Sequence, residues 1–134
     1  MDDKIRIVER PNLNDAELNS LFAASWSEHA VRAFGPILRR SLTYFGAYQE
    51  STLVGFVNVA WDGGAHAFLL DPTVAPECRH QGIGLALVDA AAQASAIRGA
   101  EWLHVDYAPD LERFYVKAGF RATHAGLIRL STGS

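Results

Sequence analysis

The run Arg79-His80-Gln81-Gly82-Ile83-Gly84 has the residue types and spacing to hold an anion. Two glycines let the backbone approach a bulky ligand, and a helix starting there aims its unsatisfied N–H groups and positive dipole end at the same spot. An apolar strand precedes the run and an alanine-rich helix follows it, the setting in which such a turn cradles a pyrophosphate. Other glycine-loop chemistries fit less well. A dinucleotide fold expects a third glycine at position 87, which is Leu87, and Glu101, at about the right distance for a ribose-binding acid, precedes its strand instead of ending it. A GxxxxGK phosphate loop needs a Lys-Ser or Lys-Thr that does not follow. A glycine turn that merely links strand to helix is the plain structural alternative.

Composition narrows the ligand. At 134 residues, 49% hydrophobic and 20% charged, the sequence predicts one globular domain over residues 1–134, with a core of its own. A formal net charge of −3 and the lack of any Lys/Arg stripe argue against nucleic acid as a partner and leave room for small neutral or cationic ligands. The single cysteine, Cys78, cannot form an internal disulfide, and the charged start Met1-Asp2-Asp3-Lys4 has no apolar stretch behind it. No segment approaches the roughly 18 consecutive apolar residues of a membrane span. The expectation is a cytoplasmic chain without metal or membrane partner.

Several elements must position the loop. A strand is predicted over Ile5 to Val8, then a helix from Asn14, with Glu17 completing a capping box, to Trp26; Leu18, Leu21, Phe22 and Ser25 mark its inner face. A second helix is predicted over His29 to Ser41, interrupted at Gly35-Pro36. Tyr44–Gln49, Leu53–Ala60 and Ala65–Leu70 read as an antiparallel meander joined by Glu50-Ser51-Thr52 and Asp62-Gly63-Gly64. Ile83 to Arg98 is a helix stopped by Gly99, and Trp102 to Tyr107 a strand. A short helix runs from Pro109-Asp110 to Lys117, Gly119 ends it, and Phe120–Thr123 and Leu127–Leu130 read as two last strands. The order βααβββαβαββ implies an α/β (α+β) fold, a mixed and mostly antiparallel central sheet flanked by helices.

Val74-Ala75-Pro76-Glu77-Cys78-Arg79-His80-Gln81-Gly82-Ile83-Gly84 resembles the acetyl-CoA signature of the GCN5-related N-acetyltransferases (GNAT), a strand ending in valine followed by RxxGxG or QxxGxG and a helix. Leu111-Glu112-Arg113-Phe114-Tyr115-Val116-Lys117-Ala118-Gly119-Phe120 is similar to that family's FYxKxGF segment. The two stand in the family's order and spacing and span roughly Asp71 to Phe120.

The resemblance implies an acyltransferase that moves an acetyl group from acetyl-CoA to a primary amine of a small molecule. In such a fold the fourth and fifth strands part so that the pantetheine arm lies between them like an added strand. Thr73, Val74 and Ala75 would line it. The N–H groups of Gln81, Gly82, Ile83, Gly84 and Leu85 would take the pyrophosphate, with Arg79 and His80 adding phosphate contacts. The amine attacks the thioester directly, an oxyanion forms, and the departing thiolate takes a proton from Tyr115. Without the motif, Phe114-Tyr115 would be core packing with a surface hydroxyl.

Two residues depart from the pattern. Pro72 stands where a backbone N–H commonly bonds the acetyl carbonyl, and proline has none, so either a bulge at Asp71-Pro72-Thr73 moves Thr73 into the role or the donor is missing. Ala108 replaces a cofactor-touching asparagine. For the general base, Asp106 leads, in an apolar run where burial would raise its pKa, although an edge carboxylate paired with Arg113 is an equal reading. His66 and His104 follow, and Asp71 reads as a turn former. Trp26, His29, Phe34 and Trp61 would form an aromatic wall for the acceptor or serve as packing, and Phe68 and Leu70 face cleft or core. Cys78 reads as a packed residue. A homodimer through the C-terminal strands or exposed edges fits the pattern. A non-catalytic CoA or acetyl-CoA sensor is the reading Pro72 would favour.

Overall fold

Asn14 has a short acceptor side chain and Glu17 a carboxylate long enough to reach back three residues, which suits them to open a helix. The computed structural model describes residues 4–131; residues 1–3 of the charged start and residues 132–134 lie outside it. The Glu17 N–H donates to Asn14 Oδ1 at 2.8 Å and the Asn14 N–H to Glu17 Oε1 at 3.4 Å, completing the box that starts α1 (Asp15–Ser25). Leu18, Leu21 and Phe22 form its buried face. The Phe22 ring meets Phe34 and Phe56 at 5.3 and 5.9 Å, so α1 lies on the sheet face that Phe56 presents.

The second helix is shorter than its sequence suggests. α2 spans Gly35–Arg40, with proline in its first turn, where the missing N–H costs no intrahelical bond. The stretch from His29 to Phe34 is a loop tied to α1. Asn19 accepts the Arg32 N–H at 3.0 Å and donates to the Arg32 carbonyl at 2.8 Å, and Asp15 accepts the Phe34 N–H at 2.9 Å. Side chains of α1 thus replace the helical bonds that residues before Pro36 would otherwise make.

Five strands form one sheet in the order β1 (Ile5–Glu9), β2 (Thr43–Gln49), β3 (Thr52–Trp61), β4 (His66–Val74) and β5 (Trp102–Val105). The first four are antiparallel neighbours, and β5 is parallel to β4. A parallel pair needs a long crossover, supplied by α3 (Ile83–Ile97), which buries Ile83, Leu87, Val88, Ala91 and Ala94. Gly55 neighbours Phe56 and so points to the opposite face. A Cβ there would come within 2.9 Å of Leu87 Cδ1, so glycine is what lets α3 lie close on the sheet. A 3-10 turn at Pro109–Leu111 leads into α4 (Glu112–Lys117), which ends before Gly119 at φ +109°.

The α/β class and the mixed, mostly antiparallel sheet agree with expectation. Three boundaries do not: β4 continues through Pro72 to Val74, β5 stops at Val105, and Phe120–Thr123 and Leu127–Leu130 form no strand. The alternating apolar pattern of that tail suits a strand, but a strand also needs a neighbour, and residues 119–127 stand across a cleft from β5.

Replacing Asn14 with alanine removes the cap of the helix that covers the sheet. The expected cost is about 1 kcal/mol in a urea unfolding curve, at unchanged slope; an unchanged midpoint would show that the box contributes nothing.

Candidate active site

Pro72 cannot donate to a strand ladder, and β4 accommodates it by adding a residue. Phe56 of β3 stands opposite Thr73 and Asn58 opposite Leu70, so two steps on β3 match three on β4. The surplus is a β-bulge, with Asp71 in the left-handed region at φ +56°. This is the bulge expected at Asp71-Pro72-Thr73, and it makes Asp71 the turn former. Thr73 is buried, donates its hydroxyl to the Asp71 carbonyl at 2.9 Å and accepts from Trp26 Nε1 at 3.2 Å. The Asp71 carboxylate lies 3.6 Å from Arg32 of the α1–α2 loop.

At the bulge the last two strands of the sheet part. β4 and β5 pair only from His66 to Leu69 against Trp102 to Val105. β4 then runs on to Val74 with no strand on that side among the described residues, while the chain after β5 continues as Asp106-Tyr107-Ala108. An extended ligand arm with amide groups can lie along such an edge. The Val74 carbonyl already accepts from Arg79 Nε at 3.2 Å and Ser25 Oγ at 3.4 Å, so an arm bonding it would displace exposed Arg79.

The glycine loop closes the base of this opening. After a turn at Pro76–Cys78, His80 and Gly82 take φ values of +66° and +82°, and Gly82 caps α3. The first intrahelical bond runs from the Ala86 N–H to the Gly82 carbonyl at 3.0 Å, so helix geometry leaves the N–H groups of Ile83, Gly84 and Leu85 directed out of the helix end. Gly84 makes the informative contact. A Cβ there would lie 3.5 Å from Phe114 Cζ and 3.7 Å from Val74 Cγ2, ordinary van der Waals distances. Nothing in the protein's own packing demands glycine at 84. A ligand lying on that backbone would, and the cradle therefore fits a pyrophosphate. The same contact joins the two sequence motifs, one on α3 and one on α4.

Behind Phe114 sits Tyr115, only 4% exposed. Its ring stacks on Tyr107 at 4.8 Å and meets Phe114 and Phe120 edge-on at 4.9 and 5.8 Å. Burial raises its phenol pKa above the ordinary 10.0, because a phenolate would lose hydration in this aromatic cage. The hydroxyl therefore stays protonated across the neutral range, as a proton donor must. Phe114 is partly buried.

The other candidates separate. Asp106 is exposed, not enclosed in an apolar run, because β5 ends just before it. His66 and His104 share a contact of 2.8 Å between Nδ1 and Nε2, and Phe68 stacks on His104 at 4.7 Å. This cluster lies at the start of β4. At a strand rise of about 3.3 Å per residue, His66 stands roughly 23 Å from Thr73. Nor do the four aromatic-wall residues meet. Phe34 is core, 2% exposed, and Trp61 ends β3 opposite Ala67, whereas Trp26 is half exposed beside Thr73 and His29 Nε2 contacts Asn19 Oδ1 at 2.8 Å. Phe68 and Leu70 are exposed on the α1 side of the sheet. Cys78 is buried, and desolvation, aided by Glu77, pushes its thiol pKa up, so it is a packing residue. Sequence reasoning missed Ser25, Arg32 and Tyr107 as site neighbours; each arrives from a distant segment, and only the aromatic Tyr107 before Pro109 carried a local hint.

A family model described as acetyltransferase (GNAT) family matches residues 12–120, and the chain belongs to this family. No curated protein matches it. Among solved structures, it is similar to a GNAT family acetyltransferase of Streptococcus pneumoniae TIGR4, with a TM-score of 0.81 at 21% identity, covering 96% of this chain and 99% of that one. It is also similar to an aminoglycoside N-acetyltransferase in complex with CoA (TM-score 0.73, 18% identity, covering 96% and 95%). An aminoglycoside acetyltransferase from an uncultured soil metagenomic sample gives 0.75 at 20%, covering 99% of each chain. These likenesses establish the fold. The family uses acetyl-CoA, which the cradle at Gly82–Leu85 suits. Among the described residues no cluster could hold a metal ion, and no helix is long and apolar enough to cross a membrane.

Gly84→Ala is expected to leave the melting temperature unchanged or slightly raised, since alanine is the better helix former, while acetyl-CoA affinity falls at least tenfold in a calorimetric titration. Gly82→Ala instead strains a left-handed residue and should cost roughly 1–2 kcal/mol of stability. Undiminished affinity in Gly84→Ala would remove the ligand argument for this glycine.

Proposed function

We propose that this protein transfers the acetyl group of acetyl-CoA to a primary amine of a small molecule. The observation that carries this reading is the parting of β4 and β5 between Gly82-capped α3 and the buried Tyr115. Acetyl-CoA supplies an activated thioester. Ile83, Gly84 and Leu85 offer backbone N–H groups and the positive helix end to its phosphates, with Gln81, Arg79 and His80 alongside. Thr73, Val74 and Ala75 present the free β4 edge to the pantetheine arm. With Pro72 unable to donate, the bulge favours Thr73 as the backbone donor to the acetyl carbonyl.

Tyr115 holds a proton for the departing thiolate. Asp106, exposed where the strands part, is the group best placed to accept the acceptor's proton, through water; His66 is the weaker alternative because it stands at the far end of β4. Trp26 and His29 border the acceptor side, and the Asp71 and Asp106 carboxylates suit an ammonium group better than an anionic acceptor. Two of the similar structures are aminoglycoside acetyltransferases, so aminoglycosides are the first amines to test. We read the chain as a one-domain enzyme of the cytoplasm.

A second reading, a non-catalytic CoA or acetyl-CoA sensor, draws on Pro72 and on the Val74 carbonyl already engaged by Arg79 and Ser25.

Tyr115→Phe separates the two readings. For an enzyme, kcat falls roughly 100-fold or more while the acetyl-CoA dissociation constant stays within about a factor of two; a protein that binds acetyl-CoA tightly yet releases no thiol across an amine panel is the sensor. The same variant reports on burial. A phenol pKa raised by folding contributes stability fully present below pH 10.0 and lost as pH rises through the folded value. Wild type should therefore lose stability more steeply than Tyr115→Phe above pH 10.0; parallel curves would contradict the buried phenol.

A further inference from the structure

Phe68 and His104 are partners in the parallel register of β4 and β5, so they stand side by side on one face of the sheet. Their rings stack at 4.7 Å with 20° between the planes, and the 2.8 Å contact with His66 Nδ1 holds His104 through its Nε2. Ala60 of β3, opposite Phe68, adds only a methyl group to the row. α1 covers the same face farther along but ends at Ser25 beside Val74, and it leaves this part bare: Phe68, Leu70 and Trp102 are 37%, 40% and 50% exposed. Adjoining rings and apolar side chains left in water on a sheet face mark a surface where something binds.

The strip leads to the candidate active site. The ladder stops at Leu69 and Val105, and the next residues, Leu70 and Asp106, stand where β4 and β5 part. Asp71 is engaged by Arg32 at 3.6 Å, whereas Asp106 pairs with no cation among the described residues. An apolar floor thus ends at one unpaired carboxylate, beside the opening that takes the acetyl group in the proposed reaction.

We propose that the acceptor is an arylalkyl primary amine whose ring packs on Phe68, Leu70 and His104 while its ammonium group reaches Asp106. The inference rests on the acetyl-transfer reading above and narrows it to a substrate class. Two strand residues advance about 6.6 Å, so a ring over the Phe68–His104 pair sets its nitrogen beside Asp106 when two carbons separate ring from nitrogen. Contacts between aromatic edges and faces favour such a ring over an alkyl group of equal area. A polyhydroxylated amine suits the strip badly, because hydroxyls laid against Phe68 and Leu70 lose water without gaining a partner. One ammonium proton leaves through Asp106, the amine nitrogen bonds to the acetyl carbon and the C–S bond breaks. The thiolate takes the Tyr115 proton, which the surplus proton on nitrogen replaces, so the products are the N-acetyl amine, CoA and one proton.

Thiol release from acetyl-CoA with 2-phenylethylamine, ethylamine and glucosamine tests the proposal. We expect kcat/KM to be roughly 30-fold higher for 2-phenylethylamine than for ethylamine, as burial of a phenyl group predicts, with most of the gap in KM. Phe68→Ala should lower kcat/KM for 2-phenylethylamine about tenfold through KM and leave ethylamine unchanged; Ile97→Ala, at an exposed residue of α3, should change neither. Independently of turnover, 2-phenylethylamine added to the CoA-bound protein should shift the Leu70 methyl and His104 ring signals in NMR. Equal kcat/KM for ethylamine and 2-phenylethylamine, a higher value for glucosamine, indifference to Phe68→Ala, or Leu70 and His104 signals unmoved at high amine would each overturn the proposal while thiol release with any amine keeps the transfer reading. No release with any amine would overturn both. A dimer in light scattering that Phe68→Ala converts to monomer would place a second copy on the strip and overturn the proposal as well.

Discussion

Proline has no N–H, and at position 72 it stands in a strand that must stay paired with β3. β4 resolves the conflict with one surplus residue, placing Asp71 in the left-handed region and displacing the register by a step. The consequences spread outward. Thr73 turns under Trp26, Val74 turns toward Gly84, and β4 leaves β5 behind after Leu69. An opening between two neighbouring strands normally exposes backbone groups to no advantage. Here the N-terminus of α3 and the aromatic cage of α4 border it.

Gly84 shows how the parts depend on each other. Val74 comes from the strand, Phe114 from α4, and both meet at the backbone of one glycine in the first turn of α3. Phe114 separates the cradle from buried Tyr115, whose phenol is kept protonated by the rings of Tyr107, Phe114 and Phe120. In the proposed reaction, anion binding and proton donation would occur on either side of one aromatic ring, each in the environment its chemistry needs.

Local signals were legible in the sequence. The capping box at Asn14 and Glu17, the glycine cap of α3 and the bulge demanded by Pro72 follow from the residues themselves and their near neighbours. Properties set by distant segments were not. Phe34 looked like an acceptor wall because nothing near it in sequence reveals that Phe22 and Phe56 enclose it. Asp106 looked buried because its run is apolar, yet β5 ends just before it. The tail from Phe120 has a strand's pattern, and pattern alone does not say which edge a strand finds.

The central claim is that the first turn of α3 holds the phosphates of acetyl-CoA. Amide NMR during an acetyl-CoA titration tests it most directly. Large saturable shifts are predicted at the N–H groups of Ile83, Gly84 and Leu85, with smaller ones at Thr73 and Val74. Saturable binding that leaves the Gly82–Leu85 amides unmoved, or no binding at all, would contradict the account.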